Sequence, residues 1–184
     1  MPQPFRHSVS ESDIDWIICI ELNSNGELRD WLAGQLFGFD VRHVEAWRSV
    51  ADPRLGESDL LWLVEDGHAQ KHLTLIENKI GAQAQPSQCE RYVLRGQQYS
   101  ADGVCDEFRT AIIAPAKYSS ADSNDYDHRI DYELLQNWFQ ENCPGERGTF
   151  VARLLEAAVT KASFAAPPDP EITAFRRSIW ELAQ

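Results

Sequence analysis

Two apolar runs joined by a short turn place the strongest constraint on the fold of this chain. The segments 57–65 (ESDLLWLVE) and 71–80 (KHLTLIENKI) are rich in β-forming residues, and Asp66-Gly67 between them is a strong hairpin signal. Two strands joined by a tight turn must pair antiparallel. The first run is almost continuously apolar, which is typical of a strand buried on both faces. The sequence therefore predicts a hairpin at the centre of a covered sheet.

The rest of the pattern predicts helices and strands around this hairpin. Helical periodicity begins near Ser12, a candidate N-cap, breaks at the turn signal 23–26 and resumes until Gly38. Further strands are predicted at 41–50, 108–115 and 128–132, and further helices at 85–98, 132–143, 148–162 and 171–183. This order of elements predicts an α/β fold in which helices pack on the faces of a mixed sheet.

Length, charge and cysteine spacing limit the classes of protein to which the chain can belong. Its 184 residues suit a single domain, 1–184, and no apolar run reaches the roughly 18 residues of a membrane span. The N-terminal segment lacks a signal-peptide core, and the four cysteines form no CxxC pair, so we expect reduced thiols and a cytoplasmic protein. The net charge of −12 repels nucleic acid on average, so phosphate binding requires clustered basic residues or metal ions.

Strand periodicity brings three charged side chains together at the end of the hairpin. In the second strand Glu77 and Lys79 extend the row that begins with Leu73 and Leu75. Antiparallel pairing places Asp59, near the start of the first strand, beside them. Acids among apolar residues are costly unless they are paired or bind a metal. An ion pair at a sheet edge is the alternative interpretation of the ExK pattern alone.

The helix that follows the hairpin carries a polar stripe. Spacings of three and four residues place Gln88, Tyr92, Arg95 and Tyr99 on one face, and Arg91 pairs with Arg95 at i, i+4. One interpretation makes this face a wall of the candidate site, with the arginines contacting phosphates. The other makes it a solvated helix face.

Together, the stretch 56–92 (GESDLLWLVEDGHAQKHLTLIENKIGAQAQPSQCERY) resembles the PD-(D/E)xK nuclease superfamily, in particular bacterial members with IENKI followed by Gln-Pro and an ERY helix. The resemblance covers about 11–142, with Ser58 in place of the motif's proline, and leaves a helical extension at about 147–184 outside it. It implies a restriction-endonuclease-like fold with a three-layer core. The superfamily's metal-binding Asp falls on Asp59, its second acid on Glu77 and its lysine on Lys79.

The resemblance also implies an activity, a cofactor and further site residues. The activity is metal-dependent phosphodiester hydrolysis in DNA, with RNA as the alternative substrate, and the cofactor is Mg²⁺, for which Mn²⁺ can substitute. The exonuclease-like Gln and Tyr fall on Gln88 and Tyr92, and a first-helix Glu falls on Glu21, with Glu27 as its competitor. Asp59, Glu77 and the backbone carbonyl of Asn78 satisfy the preference of Mg²⁺ for oxygen ligands. The expected phosphate-binding residues are Arg91, Arg95, Arg48 and Arg54.

A catalytically silent interaction or regulatory module with the same fold is the main alternative function. The charge of −12 favours it, whereas the presence of Asp59, Glu77 and Lys79 together favours the enzyme. A homodimer or a protein partner stays open. His68 and His72 are interpreted as surface histidines, and the six tryptophans mostly as packing residues.

Overall fold

The computed structural model describes residues 8–52, 55–82, 85, 87–120 and 123–163. This part of the chain contains five helices: α1 (Glu11–Ser24), α2 (Gly26–Leu36), α3 (Gln88–Ala101), α4 (Tyr132–Asn142) and α5 (Glu146–Ser163). It contains five strands: β1 (Arg42–Asp52), β2 (Gly56–Glu65), β3 (Lys71–Asn78), β4 (Glu107–Ala114) and β5 (His128–Asp131). Each element predicted within these ranges is confirmed. The predicted helix at 171–183 and the predicted phosphate-binding Arg54 lie outside the described residues.

The five strands form one mixed sheet in the order β1-β2-β3-β4-β5. The predicted hairpin is confirmed: β2 and β3 pair antiparallel, with Leu60 opposite Ile76 and Glu65 opposite Lys71. The strand pair β1–β2 is also antiparallel, whereas β3–β4 and β4–β5 are parallel. The parallel pairing of β3 and β4 requires a crossover, which α3 supplies. β3 is therefore central, with a partner strand on each side.

Helices cover both faces of this sheet, giving three layers. One face, which includes Leu60, Trp62 and Ile76, packs against buried side chains of α1, α2, α4 and α5. The opposite face, which includes Leu61 and Leu75, packs against α3. α5 contributes to the same core as the helices before it, through residues such as Val151 and Leu155. The arrangement is a three-layer α/β fold, and the restriction-endonuclease-like class stays a prediction.

Two local predictions for the first part of the chain were wrong. α1 begins at Glu11, and its N-cap is Ser10 instead of Ser12, because Ser10 and Asp13 form a reciprocal capping box. A regular strand at the predicted 41–50 would place Val41, His43, Glu45 and Trp47 in one row, but β1 contains a bulge at Val44, between the pairs His43–Val64 and Glu45–Leu63. The extra residue shifts the alternation, so His43 and Trp47 point to opposite faces.

Two further residues differ from their predicted surroundings. His72 is buried against the rings of Phe37 and Phe39, close to Asp66, and is not a surface histidine. Trp16 is not a core residue, because 53% of it is exposed on α1. No disulfide links the four cysteines. None of the helices in the described ranges combines the length and apolar character needed to cross a membrane.

Candidate active site

A cleft of about 450 Å³ opens between α1, α3 and the ends of β1, β2 and β3. It lies where β2 begins and β3 ends, so polar side chains at these strand ends line it. The cleft brings together eight of the eleven site residues predicted from the sequence: Asp59, Glu77, Lys79, Gln88, Tyr92, Arg48, Arg91 and Arg95. Of the other three, Asn78 adjoins the cleft through its contacts, Glu21 lies elsewhere, and Arg54 is outside the described residues.

Glu77 is the most enclosed acid of the cleft, with 1% of its surface exposed. Its Oε1 accepts a hydrogen bond from Gln88 Nε2 at 2.7 Å and lies 2.5 Å from Lys79 Nζ. Its Oε2 accepts from the Tyr92 hydroxyl. Burying a carboxylate is costly unless charge and hydrogen bonds compensate for lost water. Three donors supply that compensation, two on α3 and Lys79 just after β3, so the position of Glu77 is fixed.

Asp59 lies on the neighbouring strand and shares a partner with Glu77. Its Oδ2 accepts from the Asn78 backbone N–H at 2.9 Å, and its own N–H donates to the Tyr92 hydroxyl oxygen at 3.2 Å. Burial and the negative charge of Glu77 raise the pKa of Asp59 to about 8, against the opposing effect of the Asn78 hydrogen bond. The hydrogen bonds and positive charge around the two acids therefore do not fully compensate their negative charges.

Lys79 is the nearest cation to this pair. Burial acts to lower the pKa of Lys79, but the charge and hydrogen bond of Glu77 outweigh it, with help from Glu11 and Asp59, and the pKa is raised. The lysine therefore stays protonated near neutral pH. This geometry fits a residue that stabilises negative charge better than one that accepts a proton.

Asn78 connects the cleft to the opposite face of the sheet. Its side-chain Nδ2 donates to Asp15 Oδ1 at 2.8 Å and to the Glu11 carbonyl oxygen at 2.9 Å, while its Oδ1 accepts from the Tyr132 hydroxyl. The backbone N–H of the same residue holds Asp59. α1 and α4 are therefore tied to the strand that carries Glu77, and all polar atoms of the buried Asn78 side chain are satisfied.

The polar stripe predicted on α3 is buried and not solvated. Gln88, Tyr92 and Arg95 face the cleft. The Arg95 guanidinium lies 4.3 Å from the centre of the Tyr92 ring and donates to the Leu55 carbonyl oxygen at 3.3 Å, with 2% of the residue exposed. A buried guanidinium stacked on an aromatic ring is held in one orientation. Arg91 is more accessible and donates to the Gln85 side chain at 3.0 Å.

The first-helix acid predicted at Glu21 does not reach the cleft. Glu21 is buried with 3% exposed, lies 2.7 Å from the Arg147 guanidinium and accepts from the Asn25 side chain at 3.0 Å. Its competitor, Glu27, is exposed on α2. The α1 acids that line the cleft are Glu11 and Asp15.

Asp15 is not among the site residues predicted from the sequence, although its spacing along α1 carried a signal. Asp15 lies three residues before Ile18 and seven before Leu22, which are both buried, so it belongs to the inward stripe of α1. Burial raises the pKa of Asp15 to about 6, and the Asn78 hydrogen bond opposes this rise. An acid on the apolar stripe of a helix is therefore a candidate site residue.

The donor set of the cleft suits Mg²⁺ better than a metal that needs a protein cage. Within the described ranges, no three His, Cys, Asp or Glu side chains converge on one point. Mg²⁺ needs only one or two carboxylates, because it keeps several waters. Asp59 and Glu77 meet this requirement, and no described residue donates a hydrogen bond to Asp59 Oδ1. A cation beside them would offset the burial and the charge of Glu77, which together raise the pKa of Asp59.

Comparison of the chain with protein-family models, with curated proteins and with solved structures returned no match. The resemblance to the PD-(D/E)xK superfamily therefore stays a prediction based on the motif residues.

Proposed function

We propose that the chain is a cytoplasmic, Mg²⁺-dependent phosphodiester hydrolase that cleaves DNA, on a restriction-endonuclease-like fold of the PD-(D/E)xK type. One observation carries this proposal: Asp59, Glu77 and Lys79 converge in one open cleft, with three arginines around them. The clustering needs all three strands β1–β3 and α3, so it is a property of the fold and not of the ExK motif alone.

Asp59 and Glu77 are the residues that would hold Mg²⁺, with the Asn78 carbonyl as the third ligand implied by the resemblance. Bound Mg²⁺ supplies charge neutralisation at the phosphate and lowers the pKa of an attacking water. Gln88 and Tyr92 position Glu77 through their hydrogen bonds. The tyrosine hydroxyl also contacts the Asp59 backbone, so one side chain sets the spacing of the two carboxylates.

Lys79 and the arginines act on the phosphate. Lys79 keeps its proton and stabilises the negative charge that grows on the phosphoryl oxygens. Arg91 at the accessible edge suits a backbone phosphate, whereas Arg95 is fixed on Tyr92 and suits the phosphate at the reacting centre. These bases supply positive charge locally, but a metal ion is still needed to offset the acids of the cleft and the overall charge of −12.

The silent module stays a second candidate, because the cleft is not basic. Five acids and four bases line it, the acids being Glu11, Asp15, Glu57, Asp59 and Glu77. Without a metal ion this surface offers little net attraction to a phosphate backbone. The module therefore predicts no metal-dependent cleavage, and the enzyme predicts cleavage only with a divalent metal.

The test is cleavage of single- and double-stranded DNA in low salt with Mg²⁺ or Mn²⁺. We expect metal-dependent products from the wild type and a decrease of at least about 100-fold in Lys79→Ala and in Asp59→Asn, since each removes a group that acts at the reacting phosphate. Lys71→Ala is the matched control, because Lys71 is exposed at the start of β3, the strand whose last residue directly precedes Lys79. It should cleave like the wild type.

Circular dichroism must show that each variant is folded. Absence of products from a folded wild type with either metal would reject the enzyme in favour of the module. Products that persist in both Lys79→Ala and Asp59→Asn would show that the site has been placed wrongly or that the preparation contains another nuclease.

A further inference from the structure

An exposed tryptophan stands beside the candidate cleft. Trp16 follows Asp15, a residue of the cleft wall, and 53% of Trp16 is accessible to solvent. A half-exposed aromatic ring gives up part of the free energy of burial, which is about 1.5–3 kcal/mol for a fully buried large apolar side chain. Exposed aromatic rings at a charged cleft are suited to contacts with flat ligands.

Arg48 joins this ring to the cleft. Its guanidinium lies 4.5 Å from the centre of the Trp16 ring and donates to the Ser12 hydroxyl at 3.2 Å. Arg48 and Ser12 both line the cleft. The pair is therefore pre-oriented, with the guanidinium of a residue that lines the cleft held over an indole just outside that lining.

The size of the cleft limits what enters it. A volume of about 450 Å³ falls within the range of pockets that enclose one small molecule. One nucleotide fits such a space, but a base-paired and stacked duplex does not. A nucleotide in the cleft must therefore leave its stack, and an aromatic or guanidinium surface at the entrance offsets part of that cost.

We propose that Trp16 and Arg48 form a base-stacking platform that directs single-stranded DNA into the cleft. This inference rests on the proposed function and defines its substrate. Arg48 neutralises a backbone phosphate, and the indole stacks on an unpaired base next to the nucleotide in the cleft. Stacking on an aromatic side chain is tolerant of sequence, because every base has a π-face.

The experiment measures binding of fluorescein-labelled oligo(dT), alone or annealed to oligo(dA), by fluorescence anisotropy with Mg²⁺. All proteins carry Lys79→Ala, so that cleavage does not consume the DNA. Trp16→Ala should weaken binding of the single strand by about 5- to 150-fold, which corresponds to the loss of one stacked base. Trp16→Phe should recover most of it, because phenylalanine keeps an aromatic face.

Ile20→Ala is the matched control, since Ile20 lies one turn further along α1 and is also 53% exposed. It should bind like the parent protein, and Trp16→Ala should leave duplex binding unchanged. Equal binding of the single strand by the Trp16→Ala variant and its parent would overturn the platform while leaving the nuclease intact. An equal loss for both DNA forms, or a Trp16→Phe variant as weak as Trp16→Ala, would also overturn it. Absence of binding to either DNA by the parent, together with no cleavage by the wild type, would overturn the proposed function as well.

Discussion

Replacing Asp59 by asparagine should stabilise the metal-free protein, and more so as the pH rises. Burial and the charge of Glu77 hold the pKa of Asp59 at about 8, against an ordinary value of 3.8. The folded protein therefore binds this proton more tightly than the unfolded chain does. The contribution of Asp59 to stability is full below about pH 4 and is lost as the pH rises towards 8. Asparagine cannot ionise, so the variant avoids this loss.

The size of the effect follows from the pKa shift. One pKa unit is worth about 1.4 kcal/mol, so the full shift changes the stability difference by about 3 kcal/mol between pH 5.5 and pH 8.5. Asp59 borders an open cleft and is partly exposed, and solvent screening reduces the expected change to about 1–2 kcal/mol. The lower pH is kept above the isoelectric point of about 4.8, where association of the protein would disturb the measurement.

The assay is urea denaturation in EDTA, followed by circular dichroism, for the wild type and Asp59→Asn at both pH values. The informative quantity is how much the difference in unfolding free energy between Asp59→Asn and the wild type increases from the lower to the higher pH. Other titrating groups contribute equally to both proteins, so their effects cancel. Asp30→Asn, at an exposed position of α2, serves as control and should show no such increase. A difference that stays flat, or that shrinks at the higher pH, would refute the raised pKa of Asp59 and the burial and like-charge repulsion from which it was reasoned.

Two further predictions test the buried partners of α1 and α5. Glu21→Gln should cost about 1–3 kcal/mol of stability, because it weakens the buried contact with Arg147, yet it should leave metal-dependent cleavage unchanged; lost cleavage in a folded variant would return Glu21 to the site. Gly148→Ala should lower the free energy of unfolding by more than about 3 kcal/mol in urea denaturation, because its Cβ would lie 1.8 Å from the Cys143 carbonyl oxygen. In the control Gly34→Ala the new Cβ meets no other atom, so this variant should gain up to about 1 kcal/mol of stability. Equal effects of the two alanines would contradict this packing.

The sequence predicts the strands of the site well, because their signals are local. The Asp66-Gly67 signal marks the place of the hairpin, whereas the register comes from a five-residue connection, 66–70, which pairs Glu65 with Lys71 and places Asp59 next to Glu77. The period of α3 likewise places Gln88 and Tyr92 on one face. In each case a short-range pattern determines which way a side chain points, and one strand pairing or one helix face then brings it to the site.

The first helix shows where such reasoning ends. Periodicity tells which side of α1 faces the core, but not which turn of that side reaches the cleft. Asp15 and Glu21 are both buried, yet they lie about 9 Å apart along the helix axis at 1.5 Å per residue. Which of them meets Asn78 depends on how the helix docks on the sheet, and that depends on contacts from distant segments.

The β1 bulge and the exposed Trp16 have the same kind of cause. A bulge is defined by the strand opposite, and nothing in 41–50 alone marks Val44 as the extra residue. How much of Trp16 is covered depends on the segments that pack beside α1, so its hydrophobicity alone did not predict its exposure.

The bonds of Asn78 also set an order of events during synthesis. Its carboxamide is completed by Asp15, 63 residues earlier, and by Tyr132, 54 residues later. At translation rates of about 5–20 residues per second, Tyr132 emerges roughly 3–10 seconds after Asn78. A nascent chain therefore carries Asp59, Glu77 and Lys79 for several seconds before the Tyr132 hydroxyl can bond to Asn78 on β3. The proposed activity would therefore begin only after Tyr132 has left the ribosome and its hydroxyl has bonded to Asn78.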